Sequence, residues 1–140
     1  MKKTLFIVIG MMLLLGSAHA QDRHIIKRDQ LPSAAMKYIQ GNWNNVSPSK
    51  IIKITQGFDV AYEVTLVDGT LINFNRDGSW KDITSTKEVV KSAVPAGISL
   101  YVHENCPKYK IVRMDKESEG YKIRLSNGLE MRFDLQGNRI

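Results

Sequence analysis

Residues 60–80, VAYEVTLVDGTLINFNRDGSW, and residues 119–139, EGYKIRLSNGLEMRFDLQGNR, decide the fold. In the first, Val60, Tyr62, Val64 and Leu66 alternate with Ala61, Glu63 and Thr65, the period of a strand with one buried face. Asp68-Gly69 is a tight hairpin signal, because a two-residue turn needs positive φ and glycine takes it without a steric cost. Ile72 and Phe74 then share a face of the returning strand, and Asp77-Gly78 turns again towards a short strand around Trp80. The second stretch repeats this at an offset of 59. Tyr121, Ile123, Leu125, Gly128, Phe133 and Gly137 fall where Tyr62, Val64, Leu66, Gly69, Phe74 and Gly78 stand.

The likeness extends outward. Leu31-Pro32, Tyr38-Ile39 and Asn42 match Val94-Pro95, Tyr101-Val102 and Asn105 at an offset of 63, and Lys50–Ile54 matches Lys110–Met114 at an offset of 60. The chain therefore reads as two copies of one unit, residues 31–83 and 84–140, each a helix followed by four short antiparallel strands and together one structural domain. Leu31, Ala35, Tyr38 and Ile39 give the first helix an apolar stripe, and Ile98, Tyr101 and Val102 do so for the second. Residues 87–93 join the units and are expected to extend the second helix backwards. Residues 21–30 are polar and read as a loose arm.

Two copies also measure burial. Positions that stay large and apolar in both are core: Tyr62/Tyr121, Val64/Ile123, Leu66/Leu125, Ile72/Met131 and Phe74/Phe133. Positions that swap, such as Leu71/Glu130, Trp80/Arg139 and Val60/Glu119, are expected to be exposed.

The N-terminus is an address. Lys2 and Lys3 precede an apolar run from Leu5 to Leu15, and Ala18-His19-Ala20 is a small-x-small cleavage signature. Residues 1–20 read as a secretory signal peptide, cut after Ala20. The run is shorter than the roughly 20 apolar residues of a spanning helix, and no Cys follows it, so no stable membrane anchor is expected. Periplasm or secretion from a Gram-negative bacterium is the expected destination. The whole chain carries 20 Lys+Arg and 14 Asp+Glu, a net +6. Loss of Lys2 and Lys3 leaves 18 − 14 = +4, and an exported chain of that mild charge is not expected to bind nucleic acid.

The pattern of a Val/Leu-Pro start, a Tyr-[Ile/Val] helix, Asn-x-Pro, an Ile-rich strand, Gly-Tyr, Asn-Gly and a final Phe-Asp-x-x-Gly-Asn resembles the PepSY-like, beta-lactamase-inhibitor-like family of small secreted bacterial proteins. The resemblance covers both units. It implies an α+β fold of the beta-lactamase-inhibitor-protein type: an eight-stranded antiparallel sheet with its helices on one face and the other face open. Beta-lactamase inhibitor protein grips its enzyme with that open face, so by fold analogy the resemblance implies an inhibitor-like role. The family pattern has an aromatic residue where this chain has Cys106, whose match in the first unit is Trp43, so Cys106 reads as a helix-end packing residue.

No chemistry is expected. His103, Glu104 and Cys106 are clustered, but His103 matches Gln40, an exposed helix position. His24 lies in the arm with no motif around it. No nucleophile elbow, paired metal motif or phosphate loop is present, and no cofactor or metal is called for. The protein-binding face expected from the pattern comprises Leu71, Trp80, Lys122, Arg124, Glu130 and Arg132, with Glu63 beside them. The partner expected there is an envelope or secreted protein or peptide. The alternative is a carrier of a small apolar ligand, held in a groove between sheet and helices lined by Tyr62, Tyr121 and Met131. The sequence leaves the oligomeric state open.

Overall fold

The computed structural model describes residues 20–140. The leader and all but the last residue of its cleavage signature lie outside the described residues.

Eight strands form one antiparallel sheet in chain order. They are β1 (Asp22–Ile25), β2 (Pro48–Gln56), β3 (Asp59–Leu66), β4 (Leu71–Asn75), β5 (Trp80–Thr84), β6 (Ile111–Glu117), β7 (Gly120–Leu125) and β8 (Glu130–Asp134). Two ten-residue helices, α1 (Ser33–Asn42) and α2 (Ala96–Asn105), each follow a proline. Pro32 and Pro95, with φ near −52° and −53°, offer their carbonyls to Ala35 and Ile98 at 3.0 Å. The fold is thus α+β.

The alternation carries the core. The predicted pairs Val64/Ile123, Leu66/Leu125, Ile72/Met131 and Phe74/Phe133 are all buried, as is Tyr62, while Tyr121 is half-buried. Leu31, Ala35 and Ile39 of the first helical segment and Ile98 and Val102 of the second close over them in one cluster. Turns 76–79 and 134–138 are tied by carboxylates: Asp77 accepts from the Ser79 N–H, and Asp134 from the N–H groups of Gln136 and Asn138. Both turns also press on helix starts. A Cβ on Gly78, at φ +86°, would lie 3.0 Å from the Ala35 nitrogen, and one on Gly97 would lie 2.7 Å from the Gly137 oxygen.

Five expectations are corrected. The loose arm is β1, which pairs from Asp22↔Thr55 to Ile25↔Ile52. Its four side chains are exposed, so no apolar periodicity announces it; its main chain satisfies the free edge of β2. The eighth strand therefore comes from the N-terminus, and the fourth strand of the second unit shrinks to a single bridge, Phe133↔Arg139. Residues 87–93 do not extend α2. Val89 is buried with its N–H on the Ile111 carbonyl at 2.8 Å, and Lys91–Ala93 make one 3-10 turn.

The remaining two corrections concern register. In β2 Pro48 faces Leu66 and Ile51 faces Val64; in β6 Ile111 faces Leu125 and Met114 faces Ile123. Ile51 thus corresponds to Met114, at an offset of 63, not to Ile111. Each strand carries its bulge at the same place, Ser49 and Val112. A short run of β-branched and basic residues matches itself under a slip of three, which is what the offset of 60 picked up. The step from 63 to 59 falls in the β2–β3 hairpin, longer than β6–β7. Finally, Val60 packs against the core instead of facing solvent.

Candidate functional site

Residues directly opposite in adjacent strands share a face, so the register defines what the sheet presents away from the helices. One file crosses all eight strands: Ile25, Ile52, Glu63, Asn73, Asp82, Asp115, Lys122, Arg132. A second runs Thr65, Leu71, Thr84, Arg113, Arg124, Glu130. Of the sequence-predicted residues, Leu71, Lys122, Arg124, Glu130 and Arg132 all lie on this open face, with Glu63.

Trp80 does not. It pairs with the fully buried Phe74, because a bulge with Lys81 as the additional residue separates this pair from Asn73↔Asp82. The bulge reverses the side of Trp80 relative to unbroken alternation. Its ring stacks between Tyr38 of α1 and Tyr121 of β7, with centroids 6.2 Å away on each side, and the Lys116 ammonium lies 5.8 Å from its centroid. Trp80 thus joins the two halves on the helix side and is unavailable to the open face. Within this stack the Tyr38 hydroxyl is buried with no hydrogen-bond partner among the described residues. Burial, and then the neighbouring Tyr121, pushes its phenol above the ordinary range.

The open face is laced by ion pairs. Arg113, which sequence reasoning did not single out, is its hub. It donates to both carboxylate oxygens of Asp115 at 2.7 and 3.2 Å and to the Thr84 hydroxyl at 3.0 Å, with Asp82 at 3.9 Å. The Asp115 hydrogen bonds raise its guanidinium above its already high range. Asp82 is 8% exposed and accepts from Asn73 at 2.8 Å. Asp82 and Asp115 face each other directly, an arrangement that repels unless a cation stands by, and Arg113 is that cation. Further out, Arg124 donates to Glu130 at 2.8 and 3.1 Å and holds its carboxyl below the usual range. Arg132 pairs with Glu117, and Arg23 with Glu63 at 3.1 Å. A shallow depression of 410 Å³ lies over this network, with Lys81, Asp82, Arg113 and Lys122 in its lining. The signal for the hub was in the sequence, in the alternation Arg113-x-Asp115, but a bulge at Val112 sets its phase.

At the place expected for a groove, Tyr62 and Met131 are buried, and Tyr121 is taken up by the aromatic stack. A groove of 390 Å³ lies instead beside α2, lined by Val89, Val102, Leu100, Cys106 and Tyr109 among others. Cys106 ends α2, half-buried against the core, and its N–H donates to Val102 at 2.8 Å as Trp43 donates to Ile39. His103 and Glu104 are exposed. Among the described residues no three His, Cys, Asp or Glu side chains are grouped to share a metal, and no helix is long and apolar enough to cross a membrane.

Residues 60–140 match the model of a family described as "putative beta-lactamase-inhibitor-like, PepSY-like". That span exceeds half the chain, and the chain belongs to this family, which is not a known enzyme family. Solved structures extend the likeness to the rest. A "putative calcium-regulated periplasmic protein" of Bacteroides thetaiotaomicron is 26% identical, with a TM-score of 0.78 over 85% of this chain and 94% of that one. Two proteins of Bacteroides vulgatus, each described as a "putative periplasmic protein", are 30% and 29% identical, with TM-scores of 0.74 and 0.76. They are aligned over 85% and 86% of this chain and 94% and 97% of theirs, and the second is described as of unknown function. A search of curated proteins returned no match.

Proposed function

We infer that this chain is a periplasmic binding module without chemistry of its own, which receives a protein or peptide on the open face of its sheet. One observation carries the reading. Eight strands are covered by helices on one side only, and the other side presents two continuous files, mostly polar and charged from β3 onward, with most of their charges held in fixed pairs. An antiparallel sheet tolerates water on such a face, and a rigid, pre-ordered charge pattern lowers the entropy cost of docking a partner. Export is supported by the Lys2-Lys3, Leu5–Leu15 and Ala18-His19-Ala20 pattern and by the periplasmic description of the structural neighbours.

The test is affinity capture from periplasmic extract with two charge insertions. Leu71→Arg alters the open face and Leu100→Arg alters the groove beside α2. Loss of a captured protein with the first and retention with the second supports the reading; the reverse pattern defeats it. The groove favours a second reading, a carrier of a small apolar ligand. Native mass spectrometry of the purified protein would show added mass that Leu100→Arg removes.

A further inference from the structure

We propose that the partner of the open face is an acidic polypeptide segment, which places carboxylates on Lys122 and Lys81 either side of the Arg113 hub. The proposal rests on the open-face reading above and specifies its partner.

The argument is a charge account of the depression over β5–β7. Asp115 and Asp82 share the one charge of Arg113, Glu117 has Arg132 and Glu130 has Arg124, and the lining still holds two more cations than carboxylates. Lys116 also lines the depression, with its ammonium committed to the Trp80 ring. Lys81 and Lys122 remain. Both line the depression, and neither has a carboxylate within ion-pair distance among the described residues. Lys122 is half-buried, in register between Asp115 and Arg132. Asp115, its opposite neighbour, has both oxygens engaged by Arg113. Lys122 acts on the Glu130 carboxyl through space and makes no ion pair among the described residues, so its ammonium can take a partner's carboxylate.

Geometry narrows the partner further. Lys81 in β5 and Lys122 in β7 are two strand spacings apart, about 10 Å, a separation that carboxylates a few residues apart on one polypeptide can span. Between them lie Asp82 and Asp115. A uniformly anionic surface, such as a phospholipid headgroup layer, would bring its phosphates against these acids as well as the lysines. A polypeptide can place its acids on the two lysines and leave neutral backbone over the hub.

The experiment uses the exported protein with amide resonances assigned and three eight-residue peptides of one sequence. One carries Asp and Glu, one the Asn and Gln equivalents, and one Lys in their place; phosphatidylglycerol vesicles are the fourth probe. Expected is binding of the acidic peptide alone, with shifts confined to open-face amides of β5–β7. Its affinity should fall about tenfold in the paired Lys81→Gln, Lys122→Gln variant and fall as salt is raised. The glutamines keep side-chain length, and an unchanged melting temperature shows that the fold is intact. Equal binding of the amide peptide at the same amides overturns the acidic partner and leaves the open-face reading standing. Shifts confined to the groove beside α2 overturn both. Vesicle binding that Lys122→Gln abolishes, with no acidic peptide bound, overturns the proposal in favour of a lipid surface.

Discussion

Replacing Arg113 with alanine tests whether the open face is an ordered network or a set of independent surface charges. The guanidinium makes three hydrogen bonds, two of them to one carboxylate. Charge-assisted bonds of this kind contribute about 1.5–3 kcal/mol when well shielded. The Arg113 side chain is 35% exposed, so water replaces part of that, and about 1–2 kcal/mol is the loss expected from the bonds alone. A second loss follows from register. Asp82 and Asp115 stand directly opposite, with Cβ atoms about 5 Å apart. At an effective dielectric of about 20 their repulsion would be about 3 kcal/mol, and water on this face reduces it to about 1. The total, about 2–3 kcal/mol, would lower the melting temperature by about 10 °C in a domain of this size. Urea unfolding followed by Trp fluorescence and by circular dichroism measures it. The discriminating step is the double variant. Arg113→Ala with Asp115→Asn removes the facing charge and should recover about 1 kcal/mol of the loss. An Arg113→Ala effect under about 0.5 kcal/mol, or a double variant no more stable than the single one, would refute the argument that Arg113 neutralises the pair.

Trp80→Ala should cost about 3 kcal/mol, since it empties the stack between Tyr38 and Tyr121; thermal melting reads this, and the captured partner should be retained because the ring lies on the helix side. Gly120→Ala should cost about 3 kcal/mol or prevent folding, because its Cβ would lie 1.9 Å from the Phe133 carbonyl oxygen across the β7–β8 pair; soluble yield and circular dichroism decide it. Cys106→Ser should cost about 1–2 kcal/mol by wetting a half-buried packing position and should leave partner binding unchanged, as measured by titration with the captured protein. Asp77, Asp134 and Glu130 have folded-state carboxyls held low by hydrogen bonds from Ser79, Asn138 and Arg124 respectively. Their stabilisation is therefore present above the ordinary carboxylate range and lost as pH falls through the depressed folded values; a two-dimensional NMR titration should show all three titrating below model peptides.

The core was legible because alternation and turn chemistry agree wherever the backbone is regular. Tyr62, Val64 and Leu66 could be placed beside Ile72 and Phe74 from Asp68-Gly69 alone, and the structure buries all five. What escaped the sequence is what bulges and edges do. Lys81, Ser49 and Val112 each add a residue to one strand, and nothing in a side-chain pattern marks an extra residue until the partner strand is known. Trp80 was misplaced for that reason, and Arg113 was passed over for the same one. β1 escaped because its pairing is made by main-chain groups, which carry no sequence signature, while its side chains read as solvent-exposed polar chain.

The corresponding positions of the two halves explain why one sheet can hold a steady core and an asymmetric face. On the helix side the matched residues keep their character: Val64 and Ile123, Leu66 and Leu125, Phe74 and Phe133 are all buried. On the open side the matched residues diverge: Glu63 against Lys122, Thr65 against Arg124, Leu71 against Glu130, Asn73 against Arg132. Packing penalises any change of volume in the first set, whereas no core packing constrains the second set, which is free to take the charges a partner requires. The outcome is a gradient across the sheet. It runs from isoleucines at β1 and β2, through the acids Glu63, Asp82 and Asp115, to Lys122 and Arg132 at the far edge. Beyond the two lysines the face differs end from end, Glu63 and isoleucines on one side and Arg132 on the other, so a partner's flanking residues give it direction as well as attraction. If a partner docks here, reversing the order of charges in its contacting segment should weaken it even at constant composition.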